Sequence, residues 1–101
     1  MKPRSVKDIE RTLLKKGFQK LSSNKKAHHS FYYFIHNGKR TNINTYLSHG
    51  AKSKEYSSGL MNKIQHQLKF VDSKLGESFL DCPFKEVQYI EMLQKNGELD
   101  G

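Results

Sequence analysis

Histidines, lysines and aromatic residues crowd one stretch of the chain. Lys25-Lys26-Ala27-His28-His29 runs directly into Ser30-Phe31-Tyr32-Tyr33-Phe34-Ile35-His36, and Asn37-Gly38-Lys39-Arg40 follows. Imidazole gains and loses a proton near neutral pH. Grouped ammonium and guanidinium groups stabilise negative charge building on a phosphate. This combination suits cleavage of RNA by its own ribose 2′-hydroxyl, a reaction that needs a proton carrier and cations but no metal. In a β-strand, His29, Phe31, Tyr33 and Ile35 share one face, and His28, Ser30, Tyr32, Phe34 and His36 share the other. The two neighbouring histidines then cannot both line one face. A single histidine assisted by Lys25, Lys26, Lys39 and Arg40 is the expected arrangement. The competing reading takes the pair as polar residues at a strand end.

Both faces of this strand are aromatic, so the sequence does not say which is buried. If helices cover the His28 face, Phe31 and Tyr33 are free to stack on bases; otherwise they are core. Other chemistries find less material. His28, His29, His36 and His49 are numerous, but no HExxH and no paired-cysteine spacing occurs. No metal or cofactor is expected. The one cysteine, Cys82, precedes Pro83 and reads as a small buried residue between helices, while His66 reads as a surface residue.

The elements that must position this stretch follow from periodicity. Ser5-Val6-Lys7-Asp8 resembles a capping box, and Val6, Ile9 and Leu13, widened by Leu14, predict a helix over residues 6–16 closed by Gly17. Phe18 to Leu21 reads as a short strand. Residues 28–36 form a second, Asn37-Gly38 a type I′ hairpin turn, and Lys39 to Asn44 or Thr45 the return strand. Residues 48–58 read as a loop. Leu60, Met61, Ile64 and Leu68 predict a second helix. Asp72 or Ser73 caps a short helix carrying Leu75 and Phe79. Pro83 opens a last helix with the stripe Phe84, Val87, Ile90 and Leu93, closed by Asn96-Gly97. The tail from Glu98 to Gly101 is expected to fray. The fold class is α+β, of α-β-β-β-α type. Its three-stranded antiparallel sheet has helices on one face, with extra C-terminal helices.

The 101 residues suit one domain. No apolar run approaches the roughly 20 residues of a membrane-spanning helix. The charged N-terminus has no signal-peptide core, and a lone cysteine suits a reducing compartment, so a cytoplasmic protein with no membrane association is expected. Residues 1–69 carry 15 Lys and Arg against 3 Asp and Glu, whereas residues 70–101 carry 3 against 7. Such asymmetry points to an anionic partner such as RNA, because lysines and arginines that neutralise phosphates release condensed counterions. A well-solvated lysine-rich surface is the plainer alternative. The acidic end either neutralises part of the basic face or forms a separate appendage.

Taken in order, these motifs resemble the HicA family of toxin ribonucleases. Lys26-Ala27-His28-His29-Ser30-Phe31 is similar to that family's Gly-Ser-His-His-x-Phe motif, with Lys26 and Ala27 in place of the glycine and serine. Lys16-Gly17-Phe18 is similar to the end of its first helix, Asn37-Gly38-Lys39-Arg40 to its hairpin turn, and Gly59-Leu60-x-x-Lys63-Ile64-x-x-Gln67-Leu68 to its final helix. The family's Pro-x-His feature after the third strand has no counterpart, although Ser48-His49-Gly50 lies nearby. The resemblance covers roughly residues 4–70. It implies a double-stranded-RNA-binding-domain-like fold, metal-independent cleavage of mRNA, and a HicB-like antitoxin as partner. Its catalytic histidine corresponds to His29, with Lys25, Lys26, His28, Lys39 and Arg40 as RNA-binding residues. On this reading residues 1–70 form the RNA-binding and ribonuclease domain, and residues 71–101 a helical extension packed on it. A non-catalytic RNA-binding module of the same fold is the leading competitor. An adaptor that binds protein through its acidic C-terminal helices is a third.

Overall fold

Helix α1 (Val6–Lys15) begins where the Ser5 hydroxyl accepts a hydrogen bond from the Asp8 N–H at 3.2 Å. It ends at Gly17, which adopts a left-handed conformation with φ of 97°. A computed structural model describes residues 2–22, 29–48, 55–81 and 83–99 of the chain, leaving aside the side chains of Ser22, His29 and Ser48. Val6, Ile9, Thr12 and Leu13 form the buried face of α1, and Leu14 stays half-exposed.

The chain next forms an antiparallel sheet in the order β2-β3-β4, from Phe18–Ser22, His29–His36 and Lys39–Ser48. Asn37 and Gly38, with φ of 53° and 73°, make the two-residue turn between β3 and β4. Phe18 lies opposite Phe34, Phe31 opposite Tyr46, and Tyr33 opposite Asn44. Nearer the turn the register changes, so that Ile35 faces Arg40. The bulge places residues 41–43 of β4 across from Phe34 alone. Because it adds two residues, every β4 side chain keeps its face. The Thr41 hydroxyl holds it, donating to the Phe34 carbonyl at 2.8 Å and accepting from the Ile43 N–H at 3.2 Å.

Tyr32, Phe34, Ile43, Thr45 and Leu47 are buried, so the helices cover the face that Tyr32 and Phe34 share. Tyr32 donates to the Glu10 carboxylate, which also pairs with Lys20 at 3.0 Å, tying α1 to the sheet. Burial, reinforced by Glu10, pushes the Tyr32 hydroxyl far up from its usual range. It therefore keeps its proton at neutral pH and is no proton shuttle.

Three differences from the sequence-based expectations have physical reasons. The stretch expected to be a loop over residues 48–58 contains a two-residue strand, β5 (Glu55–Tyr56), which pairs with β1 (Arg4–Ser5). A strand that short leaves no alternation to read. It is held by long-range packing of the buried Tyr56 and Arg4. In α4 (Glu86–Lys95) the buried residues are Tyr89 and Leu93, while Val87 is 67% exposed. The stripe therefore runs through a tyrosine rather than through Val87. The tail also does not fray at Glu98: the backbone N–H groups of Glu98 and Leu99 both donate to the Leu93 carbonyl, and Leu99 packs against the core.

Helices α2 (Ser58–Gln67), α3 (Ser73–Leu80) and α4 complete the molecule. Met61, Ile64 and Leu68 are buried from the second segment, Phe79 from the third, and Leu60 is half-exposed. Asp72 caps α3 by accepting from the Lys74 N–H at 2.8 Å. The rings of Phe18, Phe34, Phe70, Phe79 and Tyr89 meet in one cluster, with centroids 4.8–6.4 Å apart. Such aromatic pairs add roughly 0.5–1.5 kcal/mol each beyond area burial. The C-terminal helices thus share the core of the sheet. Lys16, only 4% exposed, reinforces this by donating to the Phe79 and Phe84 carbonyls at the C-terminal end of α3 and just beyond it.

Candidate nucleic-acid interface

With Tyr32 and Phe34 turned toward the helices, strand alternation puts Phe31, Tyr33 and Ile35 of β3 on the opposite face. Asn44 and Tyr46 of β4 and Gln19 of β2 lie on that face as well. Its aromatic members, Phe31, Tyr33 and Tyr46, are half-buried. Phe31 and Tyr46 form a cross-strand pair with centroids 5.8 Å apart.

Two cations border these rings. The Arg40 guanidinium lies 4.8 Å from the centre of the Tyr33 ring. The bulge accounts for this placement, because it holds Arg40 opposite Ile35, beside rather than across from Tyr33. Lys63 of α2 reaches the Tyr46 hydroxyl at 3.1 Å, with its ammonium 5.5 Å from the ring centre. Lys39, next to the turn, is exposed, but it pairs with His36 and so belongs to the face of Tyr32 and Phe34, not to that of the rings. Sequence reasoning singled out Lys39, Arg40, Phe31 and Tyr33, but missed Tyr46 and Lys63. The expected return strand stopped at Thr45, one residue short of Tyr46. Lys63 was read only as part of a helical motif.

The backbone of His29 pairs with that of Ser48, at the end of β3 far from the turn. Its side chain, and Lys25, Lys26, His28, His49 and Cys82, lie outside the described residues. His29 and Arg40 are therefore not neighbours. Ile35, the partner of Arg40, stands six residues along β3 from His29, roughly 20 Å at about 3.4 Å per residue. Lys39 and Arg40 cannot assist at the phosphate that His29 would attend, contrary to the arrangement expected from the sequence.

Among the described residues, no group of three or more His, Cys, Asp or Glu side chains is placed to hold a metal ion. A cleft of about 610 Å³ opens between the N-terminal segment and α1, lined by Lys2, Arg4, Arg11, Lys15, Asp8 and Asp81 among others. Most of its cations are already committed: Lys2 and Arg4 pair with Asp81 at 3.3 and 3.0 Å, and Arg11 pairs with Asp8 at 3.1 Å. The two Asp81 pairs tie the acidic C-terminal segment to basic residues of the N-terminal one. Burial pushes the Asp81 carboxyl up, but hydrogen bonds from Arg4 and Lys2 outweigh it and hold the group below the usual carboxylate range.

Fold and surface together define an α+β domain whose helices cover one sheet face and whose other face carries rings and cations. No helix among the described residues is long and apolar enough to cross a membrane. No protein-family model, curated protein or solved structure matches the chain.

Proposed function

We propose that this protein binds RNA through the helix-free face of its sheet and acts as a HicA-like toxin, cleaving mRNA without a metal. The observation that supports RNA binding is the Arg40 guanidinium seated on Tyr33, within a row of rings bordered at its far edge by Lys63. Cations placed over aromatic rings meet phosphates and base faces at once. The basic excess of residues 1–69 supplies the longer-range attraction. Cleavage rests on the sequence motif around His29, and a HicB-like antitoxin is the partner that resemblance implies. His29 moves the proton of the 2′-hydroxyl or of the leaving oxygen.

A second reading, a non-catalytic RNA-binding module, is favoured by one observation: the described cations of the hairpin stand about 20 Å from the His29 backbone. One experiment separates the two. The full-length protein is incubated with mRNA in EDTA, beside His29→Ala. The toxin reading expects fragments ending in a cyclic phosphate, and a loss of about 100- to 10,000-fold in rate for the variant with its affinity kept. Binding without cleavage by the wild type would leave the binding module as the function.

A further inference from the structure

Resting on the RNA-binding reading, we infer that the outer sheet face takes single-stranded RNA and not a duplex. Unpaired bases stack along β3 on Phe31, Tyr33 and the Arg40 guanidinium.

Spacing carries the argument. Phe31 and Tyr33 are two residues apart on one face of a strand, about 6.8 Å. Successive bases in one strand of a duplex stack only about 3.4 Å apart and have both faces covered by their neighbours. Bases that each occupy a ring on β3 must be drawn to about twice that rise, which an unpaired strand does and a duplex cannot. Duplex RNA also hides its base edges in a deep, narrow major groove, and sequence recognition accordingly targets unpaired bases.

Chemistry along the row fits the same ligand. Arg40 extends the platform instead of blocking it, because a guanidinium plane resting on Tyr33 is itself a stacking surface. Tyr46, beside Phe31, makes the next step, with the Lys63 ammonium at its hydroxyl. Cations thus stand toward both ends of the row, Arg40 near the turn and Lys63 at the β4 edge. Between them Gln19 and Asn44, both opposite Tyr33, offer amides to base edges. The core does not need these rings: Tyr32, Phe34, Ile43 and Leu47 fill the inner face at 0–2% exposure. The row also runs toward the backbone of His29, two residues beyond Phe31, so an RNA strand laid along it arrives at the proposed catalytic position.

The test is fluorescence anisotropy at low salt with a labelled 12-nucleotide 2′-O-methyl RNA, single-stranded or annealed to its complement. The methyl group removes the internal nucleophile, so cleavage does not disturb the titration. The single strand is expected to bind at least tenfold more tightly than the duplex. Tyr33→Leu and Tyr46→Leu should each weaken single-strand binding roughly 5- to 150-fold while leaving duplex binding unchanged, and Tyr33→Phe should bind normally. Upfield shifts of tyrosine ring protons on adding the single strand to the wild type report stacking even where a leucine variant fails to fold. Equal or tighter binding of the duplex, or leucine variants that fold and bind like the wild type, would overturn the stacking platform and leave RNA binding standing. Failure of both oligonucleotides to bind would remove the RNA reading itself.

Discussion

Arg4 and Asp81, 77 positions apart in the sequence, meet at 3.0 Å, with the arginine side chain only 7% exposed. This pair and its neighbours Lys2 and Glu77 fasten the end of α3 to the first residues of the chain. Asp81→Ala is expected to lower stability by about 1–3 kcal/mol at neutral pH, because a buried guanidinium loses its charged acceptor. The Asp81 pKa lies lower in the folded state, so this contribution is present above the unfolded carboxylate value of about 3.9. It is lost as pH falls through the folded value. Urea melts at pH 7 and at pH 3 check this: the gap between wild type and variant should be wide at pH 7 and narrow in acid.

The C-terminal helices are expected to be indispensable to the fold. Removing residues 71–101 deletes Phe79 and Tyr89 from the ring cluster and uncovers Phe18, Phe34 and Phe70. It also strips Lys16 of the Phe79 and Phe84 carbonyls that hold it against α3. Thermal melting and binding of a hydrophobic dye check this prediction. The truncated chain should melt at a much lower temperature, or not cooperatively, and bind dye strongly. A truncated chain as stable as the whole would show the helices to be an appendage.

Gly17 and Lys69 should respond in opposite directions. Both have a positive φ, 97° and 70°. A Cβ on Gly17 would stand 2.9 Å from the Phe34 ring and 2.8 Å from the Glu86 carboxylate. Gly17→Ala is expected to cost about 1–3 kcal/mol through backbone strain and crowding. Lys69 follows the end of α2 in the left-handed conformation that glycine prefers, with the Phe70 N–H closing on the Gln65 carbonyl at 3.1 Å. Lys69→Gly should be neutral or raise stability by up to about 1 kcal/mol. Chemical denaturation of the two variants measures both signs.

The sequence disclosed the parts of this molecule that are local. Ser5, Gly17, Asn37-Gly38 and Asp72 mark their boundaries through caps and turns that depend on a few adjacent residues. The alternation of β3 was legible too, but not its orientation, since Phe31 and Tyr33 are as apolar as Tyr32 and Phe34. Only the packing of Phe34 against Phe18 and Tyr89 decides which face is inside. The Arg40–Tyr33 contact was hidden because it depends on a bulge whose stabilising hydroxyl, Thr41, carries no distinctive signal. Likewise Lys63 meets Tyr46 across 17 residues through the docking of α2.

The hairpin cations should act as phosphate contacts, without preference among sequences. Lys39→Ala combined with Arg40→Ala is expected to weaken RNA binding for all sequences tested. It should also reduce the slope of log affinity against log salt by about 1–2, from roughly 0.7 per phosphate contact on a single strand. Titrations of two unrelated RNAs with the double variant check both parts. A loss confined to one sequence would assign these residues to base reading instead.

The central claim, that this basic α+β domain is an RNA-binding protein, is tested most directly by one titration of the wild-type chain. A labelled single-stranded RNA is titrated in EDTA at ionic strengths from about 50 to 200 mM, with its 2′-hydroxyls methylated so that it stays intact. Clear binding is expected at the lowest salt, with a steep, log-linear fall in affinity as counterions compete for the phosphates. Absence of binding at low salt, or an affinity that does not change across the range, would contradict it.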